Sequence, residues 1–288
     1  MIHMPLVAAA VCPHPPLLMP ELAAGAAAEL DDLRSACVTV VDQLLGTADR
    51  VVIVGGGPRT ATHHGSGSFA RYGVPRTVLL SGRDQPDEPC PPGGPRAADP
   101  PLSLLVGFWL LQQAAPGPGP QAPPGPVQQA ASGPVQQAAL RRPRCGGPAA
   151  VCGQAVAADA APQACAALGR DLVFPGRRAG DLAAASVRVG LLVMGDGSAC
   201  RGLRAPGYDD PRAEPFDGAV AGALARADAP ALLSLDPALA TQLRAAGRAP
   251  WQVLAGAAQA TGGQWRGAVT YQAAPYGVAY LVAFWEPA

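Results

Sequence analysis

With 288 residues, 49% of them hydrophobic and 15% charged, the chain is long enough to bury a substantial core. Twenty-one acids balance 21 bases, and no basic stripe is interleaved with aromatics, which excludes the electrostatic footprint of a nucleic-acid-binding protein. No apolar run approaches the ~20 residues that a bilayer requires, and no positive segment precedes the apolar residues 7–11, so a cytoplasmic protein with no membrane partner is expected.

The chain opens on a short apolar run at residues 6–11, expected as a buried strand, which ends at Cys12-Pro13-His14-Pro15-Pro16. Apolar residues recur at helical spacing over 21–45 and predict a helix. The β-branched run 50–54 predicts a second strand, stopping at Gly55-Gly56-Gly57. Strand, helix and strand in succession favour a parallel sheet covered by helices. A further apolar strip spans 78–80, and residues 102–111 read as a helix. Between them, and on to 150, the chain is dominated by proline, glycine, alanine and glutamine. The unit Gly-Pro-Val-Gln-Gln-Ala-Ala occurs at 125–131 and again at 133–139, which is too short for a solenoid repeat. A low-complexity insertion over 81–150, most disordered at 116–148, is expected to interrupt a single domain spanning 1–288. Helices are then expected at 157–168, 216–226, 237–246 and 251–261, with 231–235 a strand or the start of a helix. Residues 188–194 read as a core strand that breaks at Gly195-Asp196-Gly197-Ser198. Residues 267–271 and 278–285 read as two strands joined by a turn. The fold class expected is α/β: three layers, with a mostly parallel or mixed central sheet flanked by helices.

In such a sheet the loops after the strands carry the site. Every basic residue is arginine, lysine and asparagine are absent, and Ile2 and Ile53 are the only isoleucines, which points to a GC-rich bacterial genome such as an actinobacterial one. That bias multiplies glycines, so glycine motifs carry less weight here. Gly55-Gly56-Gly57 does not complete a dinucleotide fingerprint, because Thr60 holds its last position. Gly195-Asp196-Gly197-Ser198-Ala199 lacks the spacing of a serine nucleophile elbow. Seven cysteines with no CxxC pair argue against a disulfide framework or a structural zinc.

The polar groups left at predicted strand ends are Cys12 with His14, His63-His64, Asp196 with Ser198, Cys200 and Arg201, and the loop acids Asp209, Asp210 and Glu214. Two imidazoles and a carboxylate with open positions suit non-haem Fe(II). The competing reading makes His14 a loop residue between prolines and His63-His64 an exposed pair. Arg201 beside Cys200 favours a thiolate there, against a plain buried cysteine.

Three segments resemble the class III extradiol ring-cleavage dioxygenases in their catalytic B subunit. Ala9-Ala10-Val11-Cys12-Pro13-His14-Pro15-Pro16-Leu17-Leu18 is similar to the family's first strand and histidine iron ligand. Gly195-Asp196-Gly197-Ser198-Ala199-Cys200-Arg201-Gly202-Leu203 is similar to its loop bearing the catalytic histidine. Pro250-Trp251-Gln252-Val253-Leu254-Ala255-Gly256-Ala257-Ala258 is similar to the helix after its last ligand. The resemblance implies Fe(II), a catecholic or related small-molecule substrate, and an expected homodimer. It assigns His14 as a metal ligand, with His63 or His64 as the second, and Asp196 or Asp236 as the third. Departures are as informative. Gly55-Gly56-Gly57-Pro58 stands where the family carries a ligand-bearing Pro-His, Arg201 stands at the acid/base histidine, and Ala246-Gly247-Arg248 precede Trp251. An arginine stays protonated and is no general base, though it can hold an anion. Three readings follow: a dioxygenase with a degenerate site in which Asp196, Cys200 and Arg201 take catalytic roles; a non-catalytic binding or interaction protein that keeps the fold; and other metal- or cysteine-based chemistry, as in Memo-like relatives.

Overall fold

The computed structural model describes residues 6–64, 66–79, 99–114, 150–174 and 187–288. The proposed low-complexity stretch 116–148 lies outside them. In chain order come β1 (Leu6–Cys12), α1 (Pro20–Ala23), α2 (Asp31–Thr47), β2 (Arg50–Gly57), β3 (Ala61–His63), β4 (Ser66–Ser68), β5 (Thr77–Leu79), α3 (Leu102–Ala114), β6 (Ala150–Ala157), α4 (Pro162–Val173) and β7 (Val189–Met194). Four helices follow: α5 (Ala213–Ala225), α6 (Ala229–Leu233), α7 (Pro237–Gln242) and α8 (Arg248–Thr261). The strands β8 (Trp265–Ala273) and β9 (Tyr280–Pro287) close the chain.

Seven strands form one mixed sheet in the order β3-β6-β2-β7-β1-β9-β8. The four central strands, β6, β2, β7 and β1, are mutually parallel, while β3 and the β9–β8 hairpin run antiparallel at the two edges. Central parallel strands are covered on both faces, which is why Val51-Val52-Ile53-Val54 reads as an unbroken apolar run with no solvent exposure. Their side chains alternate between two cores. Val52 and Val54, with Leu191 and Val193, pack on the α4, α5, α6 and α8 side; Val51 and Ile53, with Leu192 and Met194, pack on α2 and α3. The sheet is therefore the middle of three layers. The α3 helix is apolar all round and buried from Ser103 through Leu111, as its composition requires.

The structure corrects two local expectations and decides between the alternatives of a third. The helix expected over 21–45 is broken: after α1, Ala24 adopts φ 47°, a 3-10 turn runs over Ala24–Leu30, and α2 begins at Asp31. The helix expected over 157–168 starts later, at Pro162, because the residues up to Ala157 belong to β6. Of the two forms expected for 231–235 the helix is found: its first residues belong to α6, with the Asp228 carboxylate accepting the Ala231 N–H. No helix among the described residues is long and apolar enough to cross a membrane.

Candidate site at the ends of the parallel strands

In the parallel register Cys12 lies opposite Met194, and Met194 opposite Gly55. The turns Pro13-His14, Gly55-Gly56-Gly57 and Gly195-Asp196-Gly197-Ser198 therefore leave the sheet side by side at its carboxyl edge. There the His14 N–H donates to Asp196 Oδ1 at 2.7 Å, and His14 Nδ1 lies 3.5 Å from the same oxygen. The two side chains are 12% and 16% exposed, and His14 Nδ1 is buried without a hydrogen-bond partner. The hydrogen bond runs from the His14 backbone, so the carboxylate fixes the turn rather than the ring; an imidazole in such a turn can exchange a proton with a ligand hydroxyl. Tyr280, at the start of β9, adds a buried phenol. Burial, then the charge of Asp196, pushes its hydroxyl well above the usual tyrosine range.

The loop after β7 is held from beneath by Asp217 of α5. Its carboxylate accepts the Ser198 N–H at 2.8 Å and the Ser198 hydroxyl at 2.6 Å, both groups buried. Gly197 N–H donates to Ala279 O, and Ala279 N–H to Ser198 O, stitching the same loop to the start of β9. From the other side, the Gly247 N–H at the head of α8 donates to Asp196 O. Arg248 beside it is 2% exposed. Its guanidinium meets the carbonyls of Ala158 and Ala160 and the amide oxygen of Gln252, which ties the β6–α4 turn to α8.

The predicted ligand set does not assemble. His63 pairs with Gly153, Gly153 with Ile53, Ile53 with Leu192, and Leu192 with Ala10. Thus β3 stands four strand spacings from β1, about 19 Å at ~4.8 Å each. Atoms bound to one ion lie within ~4–5 Å of each other. His63 and the exposed His64 therefore cannot share an ion with His14. Burial, then the charges of Arg59 and His64, lowers the His63 pKa. Asp236 caps α7 through the Ala238 N–H at 2.8 Å. Among the described residues no three His, Cys, Asp or Glu side chains come together to hold a metal.

Space points the same way. A Cβ on Gly55 would lie 2.4 Å from Ser103 Oγ, and one on Gly195 would lie 2.5 Å from Gly247 Cα. Where the resemblance leads one to expect a ligand-bearing side chain after β2, backbone is packed against a neighbouring helix. The described residues do not fit a three-ligand Fe(II) centre.

Arg201 donates to Glu214 Oε1 at 2.9 Å and, with Gly218 and Gln272, lines a shallow cavity of about 390 Å³ that His14 does not line. A solvent-exposed pair of this kind contributes little to stability; Arg201→Ala is expected to leave the melting temperature within 2 °C or so of the parent in a calorimetric scan. The Cys200 thiol donates to the carbonyls of Gly207 and Leu243 at 3.4 and 3.5 Å and is 1% exposed. Burial and then Asp210 raise its pKa, so of the two readings of Cys200 the plain buried cysteine is the one that fits. Asp209 accepts the Gly202 N–H, and Asp210 pairs with Arg212, which draws its carboxyl down to about 2. These acids staple their own loop.

Of the groups named from sequence, then, the structure brings His14 and Asp196 together and disperses His63, His64, Cys200 and Arg201. It adds Tyr280, Asp217 and Arg248, which the sequence reading missed. A carboxylate inside the apolar stretch 216–224, on the helical face shared by Val220 and Leu224, was the signal for Asp217. The sequence matches no model of a known protein family and no curated protein.

Proposed function

We propose that this chain is a divergent relative of the class III extradiol dioxygenases that binds a small hydroxylated molecule, catecholic or of a related kind, without iron-dependent ring opening. The observation that carries this reading is the His14–Asp196 corner. It is one imidazole 3.5 Å from one carboxylate, whose oxygen accepts the His14 backbone N–H, at the carboxyl edge of the parallel strands, where α/β sheets take their ligands. An unpartnered buried imidazole nitrogen asks for an explanation, and a ligand that moves the ring against Asp196 supplies one. Exposed Leu203 and Tyr208 in the neighbouring loop favour a second reading, a protein-interaction module that retains the fold.

Iron content after anaerobic purification, with and without added Fe(II), tests the first reading alongside calorimetric titration with catechol. Little iron is expected under either condition, and His14→Ala is expected to weaken catechol binding at least tenfold, about 1.4 kcal/mol. The His63→Ala/His64→Ala variant should bind as the parent does. Stoichiometric iron that disappears in His14→Ala would restore the dioxygenase reading. Absence of any catechol binding would favour the interaction module.

A further inference from the structure

We infer, on the ligand-binding reading above, that Tyr280 is a second ligand-contacting group of the His14–Asp196 corner, which selects molecules with a hydroxyl beside a second oxygen. Tyr280 opens β9, which runs antiparallel to β1 with Ala9 opposite Trp285, Ala10 opposite Phe284 and Val11 opposite Ala283. Carried on along both chains, that register sets Cys12 opposite Val282 and His14 opposite Tyr280. Opposed residues of an antiparallel pair project to one face, and Cys12, Val282 and Tyr280 do share the core on the α2 and α3 side. Hydrogen bonds fix the same approach from β7. Ala279, just before Tyr280, accepts the Gly197 N–H and donates its own N–H to Ser198 O, each at 2.8 Å. Asp196, just before Gly197, accepts the His14 N–H at 2.7 Å. The neighbouring strands β7, β1 and β9 thus deliver Asp196, His14 and Tyr280 to one corner.

Tyr280 is 4% exposed, and among the described residues its hydroxyl has no hydrogen-bond partner. A buried tyrosine hydroxyl ordinarily has one. Burial, then the Asp196 charge, keeps the phenol protonated, so its proton is there to donate. Asp196 offers the reverse. Its Oδ1 holds the His14 N–H, while Oδ2 takes no hydrogen bond from the described residues, and a carboxylate is an acceptor. A ligand that satisfies both groups brings a hydroxyl to donate to Asp196 and a neighbouring oxygen to accept from Tyr280. Catechols, other vicinal diols and α-hydroxy carbonyl compounds carry that pair of oxygens. Phenol carries only the first. Tyr280→Phe removes the donor and keeps the ring that packs with Cys12 and Val282.

Calorimetric titration of the full-length protein and of Tyr280→Phe, each with catechol and with phenol, tests this. The parent is expected to bind catechol at least about fivefold more tightly than phenol, the worth of one hydrogen bond. Tyr280→Phe is expected to erase most of that preference, weakening catechol and leaving phenol unchanged. A purely structural role for the side chain would weaken both ligands alike, and that result would overturn the inference. So would a variant that binds catechol as the parent does, or a parent that binds the two ligands equally. In each of those cases the ligand-binding reading of the His14–Asp196 corner stands. If the parent binds neither ligand, that reading and this inference fall together. Should Tyr280→Phe fail to fold by circular dichroism, the parent's ratio of catechol to phenol affinity decides alone.

Discussion

Gly169→Ala in α4 is expected to lower stability by roughly 3 kcal/mol, and combination with Gly256→Ala in α8 to lower it further. A Cβ on Gly169 would lie 2.0 Å from Val253 O, and one on Gly256 would lie 2.3 Å from Ala166 O. Both obstacles are backbone, which cannot rotate aside as a side chain can. The helices must separate, and α8 carries Trp251, Val253, Leu254 and Ala257 in the core on this face of the sheet. Opposing this, alanine gains up to ~1 kcal/mol per site in helix propensity. A clash of backbone against Cβ over an interdigitated contact is the larger effect. The two sites face one another, so their costs will not add. Gly218 in α5 is the control: nothing lies within 4 Å of a Cβ there, so Gly218→Ala is expected to stabilise by up to ~1 kcal/mol. Urea denaturation reads all three. Unchanged midpoints for Gly169→Ala would contradict the close helix contact. Because the head of α8 holds Asp196 O through Gly247, separation of these helices should also weaken ligand binding at His14.

Asp217→Ala is expected to lose roughly 3 kcal/mol, since it strands a buried N–H and a buried hydroxyl of Ser198 that both donate to the carboxylate. Asp217→Asn should lose less, because the amide oxygen still accepts the N–H. The pH dependence separates charge from geometry. Burial raises the Asp217 pKa from its ordinary 3.8, against the opposing pull of its two Ser198 hydrogen bonds and Arg201. A carboxyl raised on folding binds its proton more tightly in the native state. Its titration therefore contributes stability that is fully present below pH 3.8 and is lost as the pH climbs through the native value. Asp217→Asn should abolish that decline. A parent protein gaining stability from this group over the same interval would reverse the sign argued here.

The strands were legible where composition and burial agree. Val51-Val52-Ile53-Val54 and Leu191-Leu192-Val193-Met194 are apolar runs of strand length, and each sits at the centre of the sheet. The strand β6 was missed because Ala-Val-Cys-Gly-Gln-Ala-Val-Ala has little intrinsic strand preference and adjoins the low-complexity stretch. It is a strand because β2 pairs with it along all eight residues, from Arg50 opposite Ala150 to Gly57 opposite Ala157. Pairing, which a local window does not contain, overrode propensity. The helix expected over 21–45 failed in the opposite way: its apolar spacing continues through a break that Ala24 makes with its backbone.

The same division runs through the site. The sequence by itself determined that a histidine, His14, and an acid, Asp196, each follow a core strand, because apolar runs and their breaks are local properties. It could not determine that β7 lies next to β1 while β3 lies four strands away, since strand order depends on which edges pair across the whole chain. That order joins His14 to Asp196 and removes His63 and His64 from their company. Chemistry-bearing residues were thus identified by local pattern, and their partners were chosen by the long-range contacts of the folded sheet.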